Sequence, residues 1–337
     1  MEYKDVWILG EQGENKIRQV SYELLKRGKS LARKLEVDLV AIILGEKIEK
    51  KELNKLFYYG ADKVIYVQDK ILLNFLPDPY INVVTHLVNK YKPEIMIASA
   101  TTTGRTVAPA VAIKCNTGLT ADCTGLDIDK ESRNLIQTRP AIGGNILATI
   151  KTPNHRPQMA TVRPHSNQAL PPDETRAGEL IYEKVDGMLL KSRVKQIGFK
   201  TIEEEGGNIQ DADVIIAGGK GCKKEDGFEL IEKLAALLNG AVGASREAVD
   251  LGWVSYPHQV GLSGKTVSPK MYMAFGISGA VQHLAGIKTA ENIIAVNNDP
   301  DAQIFHLADI GIQADMFDVL PLLIEKLEKY KNSKKAI

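Results

Sequence analysis

The chain has 337 residues, of which 44% are hydrophobic and 25% are charged. This length predicts two domains, and the apolar share is sufficient for two cores. The formal net charge of +1 offers no field for nucleic acid or an anionic membrane, and few aromatic residues are present to stack on single strands.

The three cysteines, Cys115, Cys123 and Cys222, form neither a CxxC pair nor a metal-binding spacing. That pattern is typical of a reducing compartment and argues against disulfides and an iron–sulfur cluster. The first residues have neither an apolar signal core nor an arginine-rich transit character, and no apolar run approaches the roughly 20 residues of a membrane helix. We therefore expect a cytoplasmic protein without stable membrane insertion.

The first hundred residues alternate strand-like apolar runs with amphipathic helical stretches. The strand candidates are DVWILG (5–10), DLVAIILG (38–45), KVIYVQ (63–68) and EIMIASA (94–100). Between them, one helical stretch ends at Gly60, a residue that suits a helix C-terminus. This alternation predicts a parallel sheet covered by helices on both faces.

The pattern changes after residue 118. Short segments punctuated by Gly and Pro predict antiparallel strands, and they are LTADCTGLDID, NLIQTRPAIGGNILATI and PQMATVRPH. Residues 165–179 are rich in polar side chains and contain Pro171-Pro172, which predicts a linker. An α/β pattern then resumes.

Four strand-like segments of the second half run directly into glycine-rich or polar residues. They are ADVIIAGGKG (212–221), AVGASREAVD (241–250), MYMAFGISGAVQHLAG (271–286) and NIIAVNND (292–299). Ligands of open α/β sheets bind beyond the carboxyl ends of the strands. We therefore expect these four junctions to meet at one crevice.

The first two junctions each admit two interpretations. The first resembles half of a dinucleotide fingerprint but lacks the GxGxxG spacing, so Gly218 and Gly219 fit ordinary turns equally well. Lys220 fits either a phosphate contact or a solvated side chain. In the second junction, Ser245 is a candidate N-cap, and Arg246 is either exposed or aimed at an electron-rich ligand.

Residues 258–270, HQVGLSGKTVSPK, have no apolar periodicity and therefore fit a packing role poorly. Gly261 and Gly264 stand three apart, with Ser263 between them and Gln259 before them. Such a loop offers N–H groups, a hydroxyl and an amide to a single ligand. Ordinary turn chemistry is the alternative for the glycines.

In GISGAVQHLAG, Ser278 is a predicted N-cap and His283 follows about one turn later. The cap, unobstructed N–H groups, the helix dipole and the histidine together suit an anion or a reduced ring. A capped helix with a structural histidine is the alternative. Further along, Asn297 is a candidate to bind a ribose or base, and Asp315 is either a ligand acceptor or the N-cap of the last helix.

No GxSxG elbow, HExxH or Walker loop occurs, and the six histidines show no metal spacing. The chain offers many groups that can hold a cofactor and few that can transform a substrate. We therefore expect no catalytic residue and no metal, with the chemistry supplied by a cofactor.

The runs GASREAVDLGW, QVGLSGKTVSPKMYMAFGISGAVQHLAG and AVNNDPDAQIFHLADIGIQAD resemble the alpha subunit of electron-transfer flavoproteins. In the first half, TTTGRTVAPAVAIKCNTGLTADCTGL and TRPAIGGNILATI resemble the N-terminal domain of that family, so the resemblance covers nearly the whole chain. It implies an α/β protein of two domains. Residues 1–190 would form an adenine-nucleotide-hydrolase-like parallel-sheet domain with a linker, for partner docking, and residues 191–337 a Rossmann-like FAD-binding domain.

The resemblance also implies roles around the flavin ring. Arg246 would lie over the ring and stabilise its reduced, anionic form. Ser263 would reach the N5 edge, with Gln259 and Gly261 in the same loop, and His283 would lie near the C2 carbonyl.

For the rest of FAD, the resemblance implies that Ser278 and Gly279 hold the pyrophosphate, and that Asn297 and Asp315 hold the ADP half. Lys220 replaces an arginine of many relatives, which exchanges a planar fork for a point charge. The complete implied set of FAD-binding residues is Lys220, Ser245, Arg246, Gln259, Val260, Gly261, Leu262, Ser263, Ser278, Gly279, Ala280, Val281, Gln282, His283, Asn297, Asp315 and Met316.

The partners follow from the same resemblance. It implies a heterodimer with a beta subunit and electron exchange with an acyl-CoA dehydrogenase or a similar flavoenzyme, the chain itself being a carrier without substrate chemistry. Leu262-Ser263 replaces the Gln-Thr pair of the mitochondrial type and resembles clostridial-type sequences. Some of those support NADH-dependent electron bifurcation, with a second FAD bound mainly through the beta subunit.

Two other functions remain open from the sequence. The C-terminal domain also resembles the NAD site of deoxyhypusine synthase, an enzyme type that needs a nucleophilic lysine, and nothing in the sequence marks Lys265 or Lys270 as buried and activated. A regulatory module that binds a flavin without exchanging electrons is the second, and midpoint potentials would distinguish it.

Overall fold

A computed structural model describes residues 3–140, 147–198, 209–224 and 226–335, without the side chains of residues 211, 226 and 332–335. Their contacts divide the chain into an N-terminal unit, which continues to residue 198, and a C-terminal unit, which starts at residue 209. The AIGGNI part of the predicted strand region, residues 141–146, lies outside the described residues. Each unit is an α/β structure built on a parallel sheet.

The N-terminal unit contains a seven-stranded parallel sheet and a three-stranded antiparallel one. Its strands are β1 (Val6–Leu9), β2 (Gln12–Gly13), β3 (Lys16–Ile17), β4 (Leu39–Gly45), β5 (Lys63–Gln68), β6 (Ile95–Ser99), β7 (Leu119–Cys123), β8 (Gly125–Ile128), β9 (Leu135–Pro140), β10 (Leu147–Ile150), β11 (Gln158–Val162) and β12 (Glu179–Glu183). The parallel sheet has the order β12-β5-β4-β1-β6-β11-β7, and the three-stranded antiparallel one has the order β10-β9-β8; β2 and β3 form a separate two-stranded antiparallel sheet.

Helices cover both faces of the parallel sheet, as the apolar strands predict. They are α1 (Gln19–Leu35), α2 (Lys50–Tyr58), α3 (Pro77–Tyr91) and α4 (Thr102–Lys114). Val6 and Ile8 point into the core under α1 and α2, whereas Trp7 and Leu9 point into the core under α3 and α4. Because successive strand residues face opposite sides, a strand buried on both faces is apolar throughout.

The prediction of antiparallel strands after residue 118 is correct only for β8, β9 and β10. β7 and β11 instead belong to the parallel sheet, where β11 lies between β6 and β7. Residues 158–162 of β11 are all buried, because they face a core on each side. The local Gly and Pro signals mark the strand ends correctly but carry no information about the pairing partner.

The prediction of a linker at residues 165–179 is wrong, because this segment packs against the N-terminal unit. The His165 N–H donates to the Glu23 carboxylate at 2.8 Å, and Arg176 bonds to Asp62 at 3.2 Å. The chain then enters β12, which pairs with the edge strand β5. The polar residues are therefore surface contacts of a folded segment.

The C-terminal unit has one parallel sheet of five strands. They are β13 (Val214–Gly218), β14 (Ala241–Ala244), β15 (Met271–Phe275), β16 (Ile293–Asn297) and β17 (Ile310–Gln313), with helices α5 (Asp226–Leu237), α6 (Arg246–Asp250), α7 (Val281–Leu284) and α8 (Met316–Lys335). The order is β14-β13-β15-β16-β17. The chain leaves β13 to one side for β14 and returns to its other side for β15, which creates a topological switch point.

The two faces of this sheet are covered differently. Helices α5 and α8 pack on one face through residues such as Phe228, Ile231 and Leu320. The other face is covered mainly by residues of connecting segments, among them Val260 and Ile304. Within the described ranges, none of the helices combines the length and the apolar character that a bilayer span requires.

Candidate functional site

A cavity of about 760 Å³ lies at the carboxyl edge of the C-terminal sheet. Residues that directly follow β13, β14, β15 and β16 line it, so the four predicted junctions do meet at one crevice. This is the edge where open α/β sheets bind ligands, and the switch point between β13 and β15 lies there. The volume falls in the range of about 300–1,000 Å³ typical of small-molecule and cofactor sites.

Most of the residues implied by the resemblance line this cavity. They are Lys220, Ser245, Arg246, Val260, Gly261, Leu262, Ser263, Ser278, Ala280, Gln282, His283 and Asn297. The remaining members of the set are not among the lining residues, and they are Gln259, Gly279, Val281, Asp315 and Met316.

The charged residues at the rim form ion pairs within this unit. Lys220 Nζ lies 2.6 Å from Glu247 Oε1, and Arg246 Nε lies 3.2 Å from Asp250 Oδ2. The two basic side chains are 69% and 71% exposed, so water screens both pairs and neither holds its cation firmly. Ser245 precedes them and caps α6 by accepting a bond from the Ala248 N–H, as predicted.

The loop at 259–265 is closed by its own hydrogen bonds. The side-chain amide of the buried Gln259 donates to Ser263 Oγ at 3.0 Å, and the N–H of Lys265 donates to the Gln259 carbonyl at 2.7 Å. The Val260 N–H donates to Ala244 at the end of β14. Gln259 therefore holds the loop against the sheet and presents the exposed Ser263 hydroxyl at the cavity.

The prediction that Ser278 caps a helix is wrong. Helix α7 begins at Val281, and its N-cap is Ala280, which has no side-chain capping bond. The delay arises because Gly276 and Gly279 adopt positive φ angles of 60° and 81°, so the chain makes a loop before it turns helical. Ser278 is exposed on that loop and lines the cavity.

The loop leaves a run of backbone donors unpaired. Within the described part of the chain, no hydrogen bond engages the N–H groups of residues 278–282. The first four N–H groups of any helix lack a partner within the helix, which accounts for residues 280–282, but here Ser278 and Gly279 extend the run towards β15. Successive free N–H groups of this kind form anion-binding concavities.

Gly279 has a structural role beside this run. A Cβ atom at Gly279 would lie 2.2 Å from the backbone nitrogen of Ile304. The Ile304 N–H donates to the Ser278 carbonyl at 3.1 Å, so the two segments touch through their backbones. Only glycine permits both this approach and the positive φ.

His283 is buried at the inner wall of the cavity. Its Nε2 lies 3.0 Å from the Tyr272 hydroxyl, whereas Nδ1 makes no hydrogen bond within the described residues. Burial lowers the pKa of His283 to about 4, and the backbone of Val260 opposes that shift only in part. The ring is therefore neutral at pH 7 and acts as a polar group, not as a cation.

Asn297 and Asp315 are already engaged by the protein. The buried Asn297 amide donates to the Ile277 carbonyl at 2.9 Å and accepts from the Asp299 N–H at 3.0 Å. Asp315 accepts from the Phe317 N–H at the start of α8, and that bond together with Lys223 lowers its carboxyl pKa. Asp315 therefore caps the last helix, which is the second of the two roles predicted for it from the sequence. Met316 lies in the core beneath α8.

Several lining residues were not identified from the sequence: Gly221, Glu247, Asp250, Gly276, Ile277, Asn298 and Asp299. Asn298 and Asp299 directly follow β16, so their position in NIIAVNND was a usable signal. Glu247 and Asp250 lie on the short helix α6. Asp250 follows Arg246 by four residues, a spacing that brings two side chains of a helix together, whereas no sequence pattern indicates that Glu247 pairs with Lys220.

Backbone donors and a neutral buried histidine at a switch point define a cofactor-binding protein of the open α/β class. The family model "Electron transfer flavoprotein domain" matches residues 6–187, and "Electron transfer flavoprotein FAD-binding domain" matches residues 208–288. The chain belongs to the electron-transfer flavoprotein family, among its alpha subunits, and its C-terminal unit carries the family's FAD-binding domain.

Curated relatives match over almost the full length. The chain is 46% identical to the electron transfer flavoprotein subunit alpha of Thermoanaerobacterium thermosaccharolyticum, covering 98% of this chain and 99% of the relative. It is 44% identical to the subunit alpha of Clostridium acetobutylicum, with the same coverage. It is 39% identical to the acryloyl-CoA reductase electron transfer subunit beta of Anaerotignum propionicum, over 98% of this chain and 97% of the relative.

Proposed function

We propose that this chain holds FAD in the cavity at the ends of β13–β16. Paired with a beta subunit, it passes electrons between flavoenzymes of the acyl-CoA dehydrogenase type and other redox partners. When bound, FAD supplies the acceptance and release of electrons, a chemistry that protein side chains do not provide. The observation that best supports the site is the run of unpaired N–H groups at 278–282 beside the cavity.

The donors present fit a dinucleotide. Free backbone N–H groups at 278–282 suit the pyrophosphate, whose oxygens accept hydrogen bonds and carry negative charge. The buried Nδ1 of His283 lacks a partner, and a carbonyl or ring nitrogen of a ligand would satisfy it. The Ser263 hydroxyl, held by Gln259, offers a further polar contact.

Arg246 and His283 contribute in different ways. Reduction adds negative charge to a flavin, and the exposed guanidinium of Arg246 at the rim can exchange its contact with Asp250 for one with that charge. A charge-assisted hydrogen bond of this type contributes about 1.5–3 kcal/mol. Because His283 is neutral at pH 7, it contributes a hydrogen bond and not a charge.

The deoxyhypusine-synthase-like alternative needs a lysine that loses its proton easily. Lys270 is exposed and lies 3.0 Å from Asp213, whose carboxylate raises its pKa. A raised pKa keeps the amine protonated and unreactive, so Lys270 is a poor nucleophile.

The dehydrogenase-type partner is supported by the relative from Anaerotignum propionicum, which is an electron transfer subunit of an acryloyl-CoA reductase. Co-expression with a beta subunit, followed by a count of FAD per heterodimer, tests the assembly. One FAD indicates a simple shuttle. Two FAD molecules, one of them reduced by NADH, indicate the bifurcating type, and a purified complex without any flavin would refute the proposal.

Arg246→Ala tests the site itself. The variant should lower the flavin midpoint potential, because the reduced form loses a contact worth about 1.5–3 kcal/mol. Stepwise reduction under visible spectroscopy measures this. Lys270→Ala removes a similarly exposed cation that does not line the cavity, and it should leave the potential unchanged. Equal potentials in wild type and Arg246→Ala would exclude the role given to Arg246.

A further inference from the structure

Tyr272 and His283 form a buried pair behind the cavity. Tyr272 lies on β15 and is fully buried, and His283 lies on α7 with 6% of its surface exposed. The hydroxyl and Nε2 are 3.0 Å apart, and the two rings are tilted by 57°. No other hydrogen bond of the Tyr272 hydroxyl occurs among the residues described.

Counting donors and acceptors decides which group donates. Burial raises the pKa of Tyr272 and lowers that of His283, so the phenol keeps its proton and the imidazole carries only one. If Nε2 carried that proton and donated it, the phenol proton and the Nδ1 lone pair would both be unpaired. If the phenol donates to Nε2, the unpaired donor is Nδ1–H instead of the phenol proton, and the phenol oxygen accepts no bond. An unpaired buried donor costs about 1–3 kcal/mol; the backbone of Val260 favours a ring N–H, whereas the phenol proton has no other acceptor among the described residues, so the second arrangement is favoured.

The surroundings of Nδ1 agree with this arrangement. The backbone of Val260 interacts with the ring in the sense that raises its pKa, which is the effect of an acceptor facing a ring N–H. Val260 and His283 both line the cavity. The ring proton therefore belongs on the nitrogen that is not turned towards Tyr272, and that nitrogen makes no hydrogen bond within the described residues.

We propose that Tyr272 is a positioning residue that fixes His283 as its Nδ1–H tautomer, so that the ring offers a donor to an acceptor atom of the bound cofactor. Tyr272 does not line the cavity and acts only through His283. The identity of the acceptor rests on the proposed function, whereas the tautomer does not. The nitrogen that holds the proton is set by the hydrogen bond at the other nitrogen.

Nitrogen-15 NMR of the full chain labelled at histidine tests the tautomer without any flavin. The two-bond proton–nitrogen pattern distinguishes Nδ1–H from Nε2–H, and His283→Asn identifies the signals of residue 283 by their loss. The wild-type protein should show Nδ1–H, and Tyr272→Phe should convert the ring to Nε2–H or to a mixture. A wild-type ring protonated at Nε2 would overturn the proposal, even if Tyr272→Phe failed to fold.

FAD binding provides the second test, through a double-mutant cycle on the full chain with its beta subunit. Tyr272→Phe should weaken FAD binding about threefold to tenfold, the effect of one hydrogen bond. In the H283N background it should have no further effect, because the asparagine amide supplies a donor near the Nδ1 position without a tautomer. An equal loss in both backgrounds would mean that Tyr272 acts by packing alone, and would overturn the proposal.

The two proposals fail separately. If the wild-type complex binds no FAD, the proposed function is wrong, and the NMR result still decides the tautomer. If FAD binds and Tyr272→Phe changes neither the tautomer nor the affinity, the role of Tyr272 is wrong and the proposed function stands.

Discussion

The carboxyl edges of the two parallel sheets differ in how far their side chains and backbone groups are paired within the protein. At the N-terminal sheet, Glu11 follows β1 with only 5% of its surface exposed, and its carboxylate accepts from the Thr101 hydroxyl beyond β6. Arg163, beyond β11, pairs with Asp122 through two bonds. These four side chains are paired with one another.

The cavities at the two edges reflect that difference. A cavity beside β6 and β11 measures about 10 Å³, the space of one water molecule, whereas the cavity of the C-terminal sheet measures about 760 Å³. At the C-terminal edge the basic residues are mostly exposed and a backbone run is unpaired. An α/β sheet thus provides a place for a ligand, and the pairing of its loop residues determines whether that place stays open.

The largest effect is expected from a substitution in the loop after β15, at the carboxyl edge of the C-terminal sheet, which we call the open edge. Gly279→Ala places a Cβ 2.2 Å from the Ile304 nitrogen at a φ of 81°. Strained conformation and overlap together should cost about 4 kcal/mol of unfolding free energy and abolish FAD retention. Urea denaturation measures the loss. Gly187→Ala, where nothing lies within 4 Å, should cost less than about 1 kcal/mol, and comparable losses would contradict this explanation.

The buried histidine of the open edge should make stability depend on pH. The folded pKa of His283, about 4, lies below its ordinary value of 6.5, so the unfolded chain binds more protons between these values. Stability therefore falls as the pH drops from 6.5 to 4, by about 3 kcal/mol from this residue. The difference in unfolding free energy between wild type and His283→Asn, measured across that range, isolates the effect. A constant difference would refute it.

Substitutions of Glu11 test whether side-chain pairing stabilises the carboxyl edge of the N-terminal sheet, which we call the closed edge. Burial raises its carboxyl pKa, so keeping the group ionised at neutral pH costs stability. Glu11→Ala leaves the Thr101 hydroxyl without its acceptor and should cost about 2 kcal/mol. Glu11→Gln keeps an acceptor without the charge and should cost less than about 1 kcal/mol or stabilise the protein. Denaturation at pH 7 ranks the two, and the reverse order would show that the charge itself holds this edge together.

The smallest effect is expected for Asp250→Asn at the open rim. The exposed pair with Arg246 contributes only about 0.3–0.5 kcal/mol to stability. Removing the carboxylate frees Arg246, so the midpoint potential of bound flavin should rise slightly while the melting temperature barely changes. Asp213→Asn, which frees Lys270 elsewhere, is the matched control and should leave the potential unchanged. A lower potential in Asp250→Asn would mean that Asp250 orients Arg246 productively.

Most of the parallel-sheet architecture was predictable, because strands buried on both faces are continuous apolar runs. The strands β4 and β5 agree with their predicted bounds to within one residue. The pairing of β11 was not predictable, since a strand's neighbours are set by the whole topology and not by its own residues. The start of α7 was missed for a related reason: two glycine φ angles decide it, and the sequence shows only that glycine permits them.

The sequence predicted the location of the candidate site better than the hydrogen bonds within it. The junctions at 218–221, 245–246 and 276–283 do converge. The neutral state of His283 was not predictable, because it depends on burial behind Tyr272, eleven residues earlier. The hydrogen bond from the Gln259 amide to the Ser263 hydroxyl was likewise not predictable, because it depends on a turn that only the folded loop defines.

The unpaired run at 278–282 also makes ligand occupancy readable by hydrogen–deuterium exchange. No hydrogen bond has to break before these amides exchange, whereas the amides of β15, immediately before them, are locked in the sheet. In the free chain, adjacent peptides should therefore label at very different rates. Slow labelling of this run would report a bound anion directly, without reference to colour or electron transfer.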